Sequence, residues 1–178
     1  LYYDFPGQVS HYAYAIARNN YAGYLLEYSS KLTPELREKI EYNLNESLKV
    51  AKFVKEGGQQ LQAGNYGVRS QLAMLDNDLK KAEEYLLKAK EVLLTQKPLY
   101  YPLMINVTNE LSTVYEKQGN LKKALEYQKE AADYSAELFN QHQAETVSKL
   151  EAQYQSEKKE RELQILSEKA ENQKLQQS

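Results

Sequence analysis

Asp76-Asn77-Asp78-Leu79-Lys80-Lys81-Ala82-Glu83-Glu84-Tyr85-Leu86-Leu87-Lys88-Ala89 aligns, 42 positions on, with Gln118-Gly119-Asn120-Leu121-Lys122-Lys123-Ala124-Leu125-Glu126-Tyr127-Gln128-Lys129-Glu130-Ala131. Both stretches run from a polar turn into Leu-Lys-Lys-Ala-x-x-Tyr, and a second Ala follows seven residues after the first. Seven residues are two helical turns, so each pair of alanines shares one face and lets a neighbouring helix approach closely. The residue before each helix is one that tolerates a left-handed backbone or caps an N-terminus, which lets the chain reverse. The repeated unit is therefore a helix hairpin.

Working outward, breakers punctuate a series of helices. A first helix is expected over Val9 to Tyr28, with Val9, Tyr12, Ala13, Ile16, Ala17, Tyr24, Leu25 and Tyr28 on one face. Thr33-Pro34-Glu35 reads as N-cap, first-turn proline and an acid at the positive dipole end, and opens a second helix that Gly57-Gly58 closes. Leu44, Leu48 and Ala51 are its buried stripe. A third helix is expected from Gln59 to Leu75, although Gly64 and Gly67 each cost about 1 kcal/mol relative to Ala in a helix interior.

Leu79, Ala82, Leu86, Ala89 and Leu93 carry a fourth helix toward Pro98. A fifth starts at Tyr100 or Pro102, follows Leu103, Val107, Leu111, Val114 and Tyr115, and stops at Gly119. From Asn120 to Ser178 there is no Gly or Pro, so a very long sixth helix is expected, with a break predicted where Asn140 and Gln143 have capping-box spacing. No stretch alternates like a strand, and the fold class is all-α.

Composition narrows the function classes. The 178 residues carry a net charge of −2 with 27 % charged residues, which provides no cation excess for a phosphate backbone, so nucleic acid is not expected as a partner. No apolar stretch reaches the roughly 18 residues of a membrane span, and no leader pattern opens the chain. Residue 1 is Leu and the last residues still read as helix, so both ends are expected to be cut from a longer polypeptide. With no Cys there is no thiolate chemistry, and His11 and His142 stand without a His-Glu-x-x-His pattern. There is no phosphate loop and no nucleophile elbow. No catalytic residue, metal or cofactor is expected, and the fragment reads as non-enzymatic.

Tyrosine is 16 of the 19 aromatic residues, and most are expected to pack between helices, with Tyr2, Tyr3, Tyr100 and Tyr101 as exceptions. The acids and bases of the tail are expected to solvate a helix through pairs such as Glu157 with Arg161 and Lys158 with Glu162.

The stretch Tyr115 to Ala131 resembles the tetratricopeptide repeat, a helix-turn-helix unit of about 34 residues that stacks into a solenoid. The preceding unit keeps Tyr66, Ala82 and Ala89 but has Asn77 where that family usually has Gly, and the first pair keeps only Leu44, Leu48 and Ala51. The longer 42-residue period arises in the connection from Leu94 to Pro102. The resemblance implies a right-handed superhelix of about three hairpins over residues 1–139, followed by a C-terminal helix over 140–178. It further implies that the first helix of each pair lines a concave face. Asn106, Asn109, Thr113 and Lys117 of the fifth helix, and Gln71 of the third, are then candidates to hold a protein or peptide ligand.

The tail from Leu150 to Leu166 resembles the segment that connects extracytoplasmic tetratricopeptide repeats to a transmembrane helix in bacterial sensor histidine kinases and related membrane-anchored regulators. That resemblance implies a sensing module on the outer side of the inner membrane, attached to the membrane only through a downstream segment. Val147, Leu150 and Tyr154, and in a shifted phase Leu163, Leu166 and Ala170, make a second copy of the helix a candidate partner. The alternative is a cytoplasmic adaptor for complex assembly, with a tail that only solvates or dimerises.

Overall fold

A computed structural model describes residues 11–54 and 56–176, and the chain is all-α. Six helices follow one another: α1 His11–Glu27, α2 Pro34–Ala51, α3 Gly58–Leu75, α4 Leu79–Leu94, α5 Tyr101–Lys117 and α6 Leu121–Gln176. The expected residues Val9, Tyr2, Tyr3 and Ser178 lie outside the described part. Among the described residues no helix is long and apolar enough to cross a membrane.

Local chemistry sets the helix ends. Thr33 Oγ1 accepts from the Leu36 amide at 3.2 Å, Asp78 Oδ1 from Lys81 at 3.0 Å, and Asn120 Oδ1 from Lys123 at 3.2 Å. Each occupies an amide that the first helical turn leaves without an internal partner. The two repeated turns share one backbone geometry. Asn77 and Gly119 are left-handed, with φ of 58° and 78°. Asp78 N bonds Ala73 O and Asn77 N bonds Met74 O, while Asn120 N bonds Tyr115 O and Gly119 N bonds Glu116 O. These are the paired bonds of a Schellman motif, which Asn can close in place of Gly because its short polar side chain tolerates the left-handed region.

Residues up to Ser135 form one contact unit and those from Ala136 another. Within the first, α1 packs on α2, α3 on α4 and α4 on α5, and α3 also meets α1, α2 and α5. Its core is three clusters. Tyr14, Ala15, Val50, Ala51 and Leu61 form one, and Ala22, Ile40, Leu44, Val68 and Leu72 a second. The largest gathers Ala82, Leu86, Ala89, Leu93, Met104, Leu111 and Val114 with Ala63 and Ala73 of α3. Helix α3 contributes to all three, so it is the element the others share. The repeat alanines behave as their spacing predicts: Ala82, Ala89, Ala124 and Ala131 are all buried.

Polar side chains pin the crossings. Ser47 donates to the Ala15 carbonyl at 2.8 Å, Asn65 to the Leu44 carbonyl at 2.8 Å and Ser112 to the Ala124 carbonyl at 2.8 Å. Arg69 of α3 spreads its guanidinium over Asn65, Glu41 and Asn45, a fork that a lysine ammonium could not reproduce. Tyr115 donates to Glu83 at 2.6 Å and stacks on Tyr127 with ring centroids 5.4 Å apart. Burial pushes the Glu83 carboxyl up, but the donors Tyr115 and Gln118 outweigh it and hold Glu83 below the usual carboxylate range.

The structure corrects five expectations. Helix α2 ends at Ala51, six residues before Gly57, because the chain turns at Lys52 and Phe53. The buried face of α1 is Tyr14, Ala15, Asn19 and Ala22, whereas Tyr12, Ala13, Ala17, Tyr24 and Tyr28 of the predicted stripe are exposed. Alanine and tyrosine occur all round α1, so hydropathy leaves its face undetermined and the close approach of α2 and α3 selects the small side. Tyrosines pack between helices less than expected: of the fourteen described, only Tyr14 and Tyr115 are buried, and seven are exposed. Finally, α6 runs without a break through Asn140. A helix interior already occupies the amides a capping box would serve, and Asn costs well under 1 kcal/mol there. Among the described residues, the i,i+4 side-chain pairs along the tail are Gln153 with Glu157 and Gln164 with Glu168, and the expected Glu157–Arg161 and Lys158–Glu162 pairs are not formed.

Candidate functional site

On the α1, α3 and α5 side of the first unit the chain leaves an open groove of about 760 Å³. Helix α3 supplies Val68, Gln71, Met74 and Leu75, α1 supplies Gly23, Leu26 and Glu27, and α5 supplies Lys117. Of the α3 members, Val68 belongs to the second core cluster, Met74 packs against the largest, and Leu75 is exposed. At Gly23 a Cβ would stand 3.7 Å from Val68 Cγ2, an ordinary contact, so α1 and α3 lie close here without needing the glycine.

Two of the five predicted site residues, Gln71 and Lys117, meet in this groove. Asn106, Asn109 and Thr113 are exposed on α5 and do not line it. The Thr113 hydroxyl donates to the Asn109 carbonyl one turn back at 3.1 Å, so its hydrogen is used within the helix. Successive positions on a helix are 100° apart, and only the α5 residues aimed at α3 can reach the groove.

Glu110 is a residue that sequence reasoning missed. It lies on α5 toward α3, where Ser70 Oγ is 3.3 Å from Glu110 Oε2. Burial pushes the Glu110 carboxyl above its ordinary 4.5, and the Ser70 and Gln71 hydrogen bonds only partly counter this. The signal was present in the sequence: Glu110 falls three residues after Val107 and four before Val114, a carboxylate at apolar spacing. Asn19 was missed in the same way, between Ala15 and Ala22 on the buried face of α1.

A raised folded-state pKa means the folded protein keeps a proton that the unfolded chain has lost. The Glu110 contribution to stability is therefore intact below the ordinary carboxylate value and is lost as pH rises through the folded one. Thermal melts of the wild type and Glu110→Gln from pH 3.5 to 7 are expected to show the variant gaining stability relative to wild type as pH rises. A difference that stays constant across that range would remove this role.

Comparison of the chain with family models, with curated proteins and with solved structures returns no match. The reading of the site rests on its own geometry and chemistry. The groove is open and lined by both apolar and polar residues, with the acid Glu27 on α1 and the base Lys117 on α5. Its dimensions fall within the usual range of ligand clefts, about 300 to 1,000 Å³.

Proposed function

We propose that the chain is a non-enzymatic peptide-recognition and sensing module, three tetratricopeptide-like hairpins in a right-handed superhelix whose α1, α3 and α5 face holds an extended segment of a protein partner. The observation that carries this reading is the groove along α3. It is flanked by the first helices of the other two hairpins, and Gln71 and Lys117, selected from the sequence for this role, line it together. Amides such as Gln71 can donate and accept, which suits a peptide backbone, and Lys117 and Glu27 can each meet one charge on the partner.

In the parent protein the module belongs to a membrane-anchored signalling protein, a sensor histidine kinase or transcriptional regulator, on the extracytoplasmic side of the inner membrane. The unbroken 56-residue α6 supports this part of the proposal as a stiff element able to carry a change in hairpin stacking toward the membrane. Such a change follows only if the ligand favours one of two stackings, because equal affinity for both would shift nothing.

The recognition claim is tested by panning a phage-displayed library of random dodecapeptides on the immobilised chain and measuring the selected peptides by calorimetry. Affinity is expected to fall about ten-fold or more in Leu75→Arg, an exposed residue of the groove lining, and to change with peptide charge in Lys117→Glu. Selected peptides indifferent to both variants, or a library that yields none, would overturn the proposal. For the parent, an apolar run of about twenty residues downstream is expected, and a polar linker or stop codon there would favour the cytoplasmic adaptor.

A further inference from the structure

Helix α3 carries a second feature on the same side. Gln60, Gly64, Gly67 and Gln71 are separated by four, three and four residues and so form one stripe along the helix. A Cβ built at Gly67 would meet nothing within 4 Å, so no packing contact requires the glycine. At Gly64 a Cβ would stand 3.1 Å from Asn19 Nδ2, so this glycine lets the Asn19 amide settle against the α3 backbone. Two helix-interior glycines are unfavourable relative to alanine, and at Gly67 the fold gains nothing in return.

Where the stripe begins there is a separate cleft of about 300 Å³. Tyr12 and Tyr100 stand at it with the three amides Asn19, Asn20 and Gln60, and none of the described residues that line it is charged. Asn19 is only 9 % exposed, and its Oδ1 has no hydrogen-bond partner among the described residues. A buried amide oxygen left unpaired is costly, and a half-turn of the side-chain amide would present either a donor or an acceptor to the cleft.

We infer that this cleft is a second subsite of the same groove, taking an uncharged aromatic or aliphatic side chain of a peptide whose backbone amide pairs with Asn19. The inference rests on the peptide reading above and adds its register. Gln60 and Gln71 are eleven residues apart, about 16 Å at 1.5 Å per residue. An extended peptide covers that span in about five residues at roughly 3.3 Å each. The uncharged residue therefore lies about five positions from the one that faces Glu27 and Lys117, and the bare backbone at Gly67 lets the peptide main chain pass close to α3. Uncharged lining selects against acids and bases, whose desolvation nothing in the cleft would repay.

The test uses the tightest dodecapeptide from the panning, with Asp substituted at each position in turn. One position is expected to lose about ten-fold or more in affinity and to lie about five residues from the position whose charge preference inverts in Lys117→Glu. In Asn20→Lys, an exposed site, that Asp-substituted peptide is expected to recover, and in Asn20→Asp it should weaken further. Gly67→Ala is expected to melt at a higher temperature than wild type yet bind the peptide several-fold more weakly. Groove-bound peptides whose position preferences ignore Asn20, or a stabilised Gly67→Ala with undiminished affinity, would overturn the subsite while leaving the recognition proposal standing. A library that yields no binding peptide would overturn both.

Discussion

Truncation of Leu86 to Ala is expected to lower the stability of the helical unit by about 2 to 5 kcal/mol, with a fall in Tm of roughly 10 °C. Leu86 is fully buried in the largest cluster, among residues of α3, α4 and α5, so the methyl groups removed would leave a cavity that three helices can close only in part. Its neighbour Leu87 is 38 % exposed, and Leu87→Ala is expected to change stability by less than about 1 kcal/mol. Equal melts for the two variants would mean that the side of α4 facing the core is wrongly assigned. Denaturant titration with a fixed m-value would separate a stability change from a change in the unfolded state.

Enlargement of Ala89 is expected to act in the same direction by a different route. Ala89 is fully buried, seven residues after the fully buried Ala82, and the pair lets α4 lie close to its neighbours. Ala89→Leu must push side chains off their rotamers or move a helix, which costs about 1 to 3 kcal/mol. Ala131, the corresponding alanine of the next repeat, is 3 % exposed, and Ala131→Leu is expected to show the same sign. A chain as stable as wild type with Leu at 89 would show that close helix approach does not explain the repeated alanines.

The contrast between turns and faces shows how much could be read in advance. The caps Thr33, Asp78 and Asn120, and the reversals at Asn77 and Gly119, involve only groups within a few residues of each other, so the sequence specified them. The stripe of α4 was also legible, because Leu79, Ala82, Leu86, Ala89 and Leu93 are the apolar residues of an otherwise charged helix. The face of α1 was not, because its tyrosines have both apolar and polar character and its alanines fit on any side. At the groove the same division holds. Gln71 and Lys117 were found by their place on the first helix of a pair, but Asn106, Asn109 and Thr113 share that helix without reaching α3. Glu110 and Asn19 sit at core spacing yet are polar, Asn19 buried and Glu110 partly so.

By itself, then, the sequence determined an all-α chain, its helix hairpins with their reversals, and the alanine faces that bring helices together, since these depend on backbone dihedrals and spacing along one helix. The tertiary structure alone decided which side of α1 is buried, that α6 continues through Asn140, and which polar residues meet along α3. Those outcomes depend on contacts between residues tens of positions apart, where helix packing decides which side chains lose their water.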